Sequence, residues 1–167
     1  MEEKITVRMT DTYLFDFTLY HTYSKLAGFL TNILGAAIAF MGIIMLVMGK
    51  IKPVQIIFYL VAAVVFIVYT PLLLKYRSKK QVKEIERYHV PNEMTFNDEG
   101  IQVEFAEKKE TYEWEQIQKV VTTPKTIGFY YETEKALIVP KPDFGDKFVP
   151  ILTLATKKLG PARVHLR

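Results

Sequence analysis

Polar and apolar positions change rhythm twice along this chain. Lys4-Ile5-Thr6-Val7-Arg8-Met9 alternates polar with apolar side chains, the pattern of a half-buried strand. From Leu26 to Met48 no charged side chain occurs, and after Gly49-Lys50-Ile51-Lys52 a second uncharged run extends from Pro53 to Leu74. Beyond Pro91 short alternating runs return, separated by turn residues. Each uncharged run exceeds the roughly 20 apolar residues that cross about 30 Å of hydrocarbon. The expectation is two transmembrane helices over 26–74, antiparallel and in contact because their connection is so short.

Ahead of the first run, Thr10 or Asp11 can cap a helix carrying Tyr13, Leu14, Phe17, Tyr20 and Tyr23. Such aromatic density suits a membrane interface, and the helix is expected to continue past Lys25 into the first span. A cleaved signal peptide fits poorly, because residues 1–25 are rich in aromatics and acids and a typical apolar signal region is shorter. Within the first span Gly28, Asn32, Gly35, Ala39 and Gly42 follow helical steps, giving one nearly smooth face. In lipid, close approach over small residues replaces apolar burial, so this face should pack on the second span at Ala62 and Ala63. Asn32 is expected to make an interhelical hydrogen bond near Tyr69 and Thr70.

After the second span, 75–90 reads as a basic juxtamembrane helix that Pro91 stops. The rest, 91–167, suffices for one small domain. Met94-Thr95-Phe96 leads into the turn Asn97-Asp98-Glu99-Gly100. Ile101, Val103 and Phe105 then alternate with polar residues, and past a bend at Glu107-Lys108-Lys109 so do Tyr112 and Trp114. Residues 117–123, 126–132 and 136–139 supply further strands, the last ended by Pro140 and Pro142. Phe148, Ile151, Leu152, Ala155 and Leu159 mark an amphipathic helix, with Asp146 as its cap and Gly160-Pro161 as its stop. Five or so strands cannot cover their own apolar face, so this helix must close the sheet, and the strand at Lys4–Met9 should join the sheet's edge. The fold class is thus a membrane α-helical hairpin plus an α+β domain, with Trp114 and Phe144 in the core of the latter.

The net charge of +4 resides in the stretch from Gly49 to His89, while the region after Pro91 is nearly neutral. No broad basic face is present to follow a phosphate backbone, so nucleic acid is not an expected partner. Lys75, Arg77, Lys79, Lys80 and Lys83 crowd the exit of the second span, and Lys25 stands at the entry of the first, against Lys50 and Lys52 in the turn. The positive-inside rule therefore puts both termini in the cytoplasm of a two-span protein of the cell membrane. The same cluster, with Lys141 held between Pro140 and Pro142, supplies candidate contacts to anionic lipid headgroups. The chain has no cysteine, and its three histidines lie far apart without metal-ligand spacing. No nucleophile elbow, phosphate loop or intramembrane acid pair occurs, so no catalytic residue, metal or cofactor is expected.

The ordered set of Thr10-Asp11-Thr12-Tyr13, two close spans, Met94-Thr95-Phe96-Asn97-Asp98-Glu99-Gly100-Ile101, Tyr112-Glu113-Trp114 through Ile117, and Ile138-Val139-Pro140-Lys141-Pro142-Asp143-Phe144 resembles the YcxB-like family of small bacterial membrane proteins. The resemblance covers nearly the whole chain. It implies a cytosolic domain similar to a pleckstrin-homology roll, a bent sheet capped by a C-terminal helix, and it implies no biochemical activity. Three functions fit: a non-enzymatic, membrane-tethered interaction or regulatory module that binds a protein partner or forms a homo-oligomer, an anionic-lipid headgroup sensor, and a small transporter or channel subunit.

Overall fold

A computed structural model describes residues 2–106 and 108–165; Glu107, part of the expected bend, lies outside them. The chain divides into a sheet unit, Met1–Phe17 with Ser78–Arg167, and a helical unit, Thr18–Arg77. The sheet unit is therefore assembled from both sides of the apolar hairpin.

In the sheet unit, β1 (Glu3–Val7) pairs antiparallel with β2 (Asn92–Phe96), Ile5 opposite Met94. Strands β3 (Gly100–Phe105) and β4 (Lys108–Glu113) complete a four-stranded sheet in the order β1-β2-β3-β4. A second sheet has the order β7-β6-β5-β8, from β5 (Lys119–Thr122), β6 (Thr126–Tyr130), β7 (Ala136–Pro140) and the two-residue β8 (Val164–His165), which runs parallel to β5. The expected joining of the N-terminal strand to the later sheet is thus observed, whereas β8 has too few residues to leave a periodic signal.

One apolar core serves both sheets. Phe96 and Phe129 bring their rings to 5.4 Å across it, and Ile5, Val7, Ile101, Val103, Ile117 and Val139 are buried beside them. The helix α5 (Phe148–Leu159) closes the core with Ile151, Leu152, Leu154 and Ala155. Its end is as expected: Gly160 takes φ +79°, and its N–H reaches Thr156 O at 2.9 Å. Its start is not, because Asp146 sits in a preceding 3-10 turn and no side chain caps the helix. Trp114 also departs from strand alternation. It opens a 3-10 turn after β4, is buried, and donates Nε1–H to Asn97 O at 2.9 Å, so its ring lies under the β2–β3 turn.

The helix α1 (Asp11–Tyr23) starts where Thr10 Oγ1 accepts from Tyr13 N at 3.4 Å. Leu14 and Phe17 are buried in the sheet unit, with the Phe17 ring 5.6 Å from Tyr130. A Cβ at Gly128 would collide with the Phe17 ring, so this contact requires glycine. Asp16 fixes the same helix to the β5–β6 turn: its carboxylate accepts from the Thr123 hydroxyl and from Lys125 N at 3.1 Å. Part of the aromatic run read as interfacial is therefore core, because its first two turns have a sheet to cover.

The helical unit contains α2 (Leu26–Val47) and most of α3 (Ile56–Glu84). Contrary to expectation, α1 does not run into α2. Ser24 turns its hydroxyl back to His21 O at 3.0 Å, and Lys25 is extended at φ −87°, ψ 144°. A single helix, α3, replaces the expected span and separate basic helix, continuing through Pro71 although proline cannot donate to Ile67 O. Both are long and apolar enough to cross a membrane, and within the protein only 11% and 6% of their most apolar windows are buried.

Candidate functional site

The residues singled out from the sequence fall into three places. On α3, Lys75, Lys79 and Lys83 recur every four residues and so share one helical stripe, with Lys80 beside it and Arg77 on the far side of the helix. All five side chains are exposed; Lys80 reaches Glu84 at 3.6 Å, a pairing worth a few tenths of a kcal/mol. Because α3 is unbroken here, Lys83 stands about 12 Å further along the axis than Lys75 at about 1.5 Å per residue. The cluster is a ladder along a rod. Past its end, Arg87 leaves the series, lying 5.0 Å over the Phe105 ring and 3.4 Å from Glu110.

Lys141 lies elsewhere, opening the short helix α4 (Lys141–Phe144) that the two flanking prolines permit. Its backbone N–H donates to Lys125 O at 2.9 Å, and both lysines line a cleft of about 490 Å³ with Thr10, Thr12, Tyr13, Pro124 and Pro142. Neither ammonium has a carboxylate partner among the described residues. Acids offset them nearby: Asp16 at the β5–β6 turn and Asp143, whose Oδ2 accepts from Arg8 N at 2.7 Å. Burial pushes the Asp143 carboxyl up, against the lowering effect of the Arg8 bond and charge. The charged side chains that line the cleft itself are the two lysines. Phe144, next in the chain, is buried with its ring 6.5 Å from Phe96 and 5.6 Å from Phe148, filling the space between sheet and α5.

The small-residue face of α2 divides in function. Gly35 and Gly42 meet α3: a Cβ at Gly35 would lie 2.8 Å from Ile67 Cγ1, and one at Gly42 would lie 2.6 Å from Tyr59 Cβ. Buried Ala63 is the small residue that answers Gly35. Gly28 instead lies against the Thr22 carbonyl at the end of α1, and Ala39 is half-buried. The hydrogen bond expected of Asn32 is missing. Its buried Oδ1 accepts nothing among the described residues, because Tyr69 is 62% exposed and Thr70 brings no hydroxyl to it.

Gly35→Leu should therefore push the two helices apart and lower stability in detergent by about 1–3 kcal/mol, as overpacking does. Ala39→Leu should cost less than half as much. Thermal unfolding in one detergent compares them, and equal melting temperatures would remove Gly35 from the contact.

One set of groups that the sequence reading passed over is the backbone edge of β4. The bond from Asn97 N to Gly100 O at 3.0 Å fixes which residues of β3 face β2. By alternation through the register, Lys108, Glu110 and Tyr112 point their backbone groups at β3, and Lys109, Thr111 and Glu113 point theirs outward. The other long edge is engaged at two points: on β1, Lys4 O accepts from Lys147 Nζ at 2.6 Å and Arg8 N donates to Asp143. On β4, Glu113 N reaches Gln116 Oε1 at 3.2 Å, and the outward groups of Lys109 and Thr111 have no backbone partner among the described residues. Alternation and hairpin turns in the sequence carry this parity, but only the sheet order shows that β4 is last.

Residues 96–149 match the family model of the YcxB-like protein. That segment runs from the end of β2 to the start of α5, and so holds Trp114, Lys141 and Phe144. No curated protein is similar enough to the chain to count as a match.

Proposed function

We propose that this chain, with its YcxB-like region, is a membrane-anchored, non-enzymatic interaction or regulatory module. The carrying observation is the pairing of β1 with β2 around the intervening apolar hairpin. A hairpin inserted within a sheet is tied to it by two covalent connections, and α1 adds a docked contact through Phe17 and Asp16. The sheet unit thus needs chain from both sides of the hairpin, which suits a module anchored by two connections rather than by one flexible tether. The exposed apolar surface of α2 and α3 supports placement in lipid, since soluble monomers rarely expose contiguous apolar area of that extent. In this reading the sheet unit is a pleckstrin-homology-like roll of two four-stranded sheets closed by α5. By the positive-inside rule, Lys25 and the ladder from Lys75 to Lys83 support a cytoplasmic side for it and for both termini.

The chain has no cysteine, so single substitutions report topology cleanly. Thr10→Cys and Lys157→Cys should be shielded from an impermeant maleimide outside cells, and Lys50→Cys should react. The reverse pattern would overturn the orientation.

The lysine ladder favours a second reading, in which the module senses anionic headgroups. Each lysine or arginine near such a surface contributes about 1 kcal/mol, falling off within a Debye length of about 8 Å. Lys75→Gln with Arg77→Gln should then abolish most of the stabilisation by phosphatidylglycerol over phosphatidylcholine nanodiscs. Lys83→Gln, about 12 Å further along the helix, should have little effect. Equal melting temperatures in the two lipids for the unaltered protein would leave the ladder with topology alone.

A further inference from the structure

We propose that β4 is a pairing edge for a second copy of this chain, joined antiparallel about a two-fold axis through Thr111. The edge of β1 is occupied by Lys147 and Asp143 at Lys4 and Arg8, β8 has two residues, and β7 is ended by Pro140 and turns into α4. The outward parity of Lys109, Thr111 and Glu113 restricts the register, since opposed residues in an antiparallel pair must both face the partner or both face away. Centring on Thr111 sets Lys109 opposite Glu113 of the other copy, twice, and Thr111 opposite itself, with Glu110 opposite Tyr112. Opposite charges and threonine pairs are both favourable cross-strand neighbours. Centring on Glu110 would oppose two glutamates, and parallel pairing would stack lysine on lysine. Of these arrangements charge favours the one centred on Thr111, even though Lys109 also lies 2.8 Å from Glu104 within its own copy.

The bonds are few. Thr111 can exchange both backbone bonds with its counterpart, and each Lys109 N–H can donate to a Glu113 carbonyl; the Glu113 N–H is already held by Gln116. Such an edge is far smaller than the roughly 1,200 Å² of a specific soluble interface. Two copies anchored in one bilayer meet at a raised effective concentration, and for that the inference rests on the membrane reading above. The lysines at positions 108 and 109 have a second role: they deter flat pairing with unrelated edges.

Thr111→Cys in the full-length chain, reconstituted in lipid vesicles, tests this. An opposed backbone-bonded pair has Cα atoms about 5.5 Å apart, within disulfide range. Under mild oxidant Thr111→Cys should give a covalent dimer about tenfold faster than Lys135→Cys, at the exposed β6–β7 turn, because a held pair reacts at high effective concentration. Adding Glu113→Lys should oppose two lysines and slow the reaction severalfold, while Glu113→Gln should have an intermediate effect. Melting curves that match the unaltered protein show that the variants are folded. Thr111→Cys crosslinking no faster than Lys135→Cys, or indifference to Glu113→Lys, would overturn the pairing. The cysteine-labelling pattern is read in the same vesicles, so failure of the membrane reading registers separately.

Discussion

A fragment beginning at Pro91 should lose most of the hydrogen-exchange protection of β2 and β3. It lacks β1, and with it Ile5 and Val7, which are 5% and 1% exposed in the core. Each buried side chain of this size contributes about 1.5–3 kcal/mol. Losing two approaches the lower end of the 5–15 kcal/mol that holds a typical domain together. The fragment would also open the edge of β2, whose backbone groups at Asn92, Met94 and Phe96 face β1 in the intact chain. Restoring residues 2–10 through a flexible linker should return the protection, because loop closure costs little more with each added residue. Equal protection with and without the strand would show that β1 adds nothing to the sheet. The fragment is accordingly a poor bait for capturing partners, and the full chain is the better one.

Trp114→Ala should be the most destabilising single substitution in the sheet unit. The ring is 3% exposed, and truncation of a buried tryptophan costs about 3–5 kcal/mol. It also takes the donor from Asn97 O in the β2–β3 turn. Trp114→Phe keeps most of the ring volume and loses only that bond, so it should retain more than half of the lost stability. Urea unfolding followed by circular dichroism compares the three proteins. In the unaltered chain the lone tryptophan also reports unfolding of the sheet unit by fluorescence. A Trp114→Ala cost below about 1 kcal/mol would put it in the range of ordinary substitutions and remove the ring from the core.

Local pattern made much of this architecture legible. The two uncharged runs, the N-terminal strand, the hairpin around Asn97–Gly100 and the apolar stripe of α5 are signals of short range, and each appears as expected, except that the strand expected over 4–9 spans Glu3–Val7. The misses have a common cause. Between Ser24 and Lys25 the helix breaks through a side chain that bonds its own backbone, and nothing in the aromatic run announces it. The basic stretch after Leu74 continues α3 because its residues are good helix formers, and no cap or glycine intervenes before Glu84. Gly28 and Gly35 share one helical face by spacing, yet one meets the end of α1 and the other meets α3.

By itself the sequence determined which segments are strand or apolar helix and where charge collects, because helix period, strand period and hydropathy reside in neighbouring residues. Only the tertiary structure decided that Phe17 seals against Gly128, and that Lys147 and Asp143 reach Lys4 and Arg8 on the edge of β1 while no such contact reaches Lys109 or Thr111 among the described residues. These depend on which surfaces meet across more than a hundred residues of chain, and no local period encodes that meeting. The same reason separates Lys141 from the lysine ladder: the ladder follows one exposed helix, whereas Lys141 meets Lys125, distant in sequence, at one cleft.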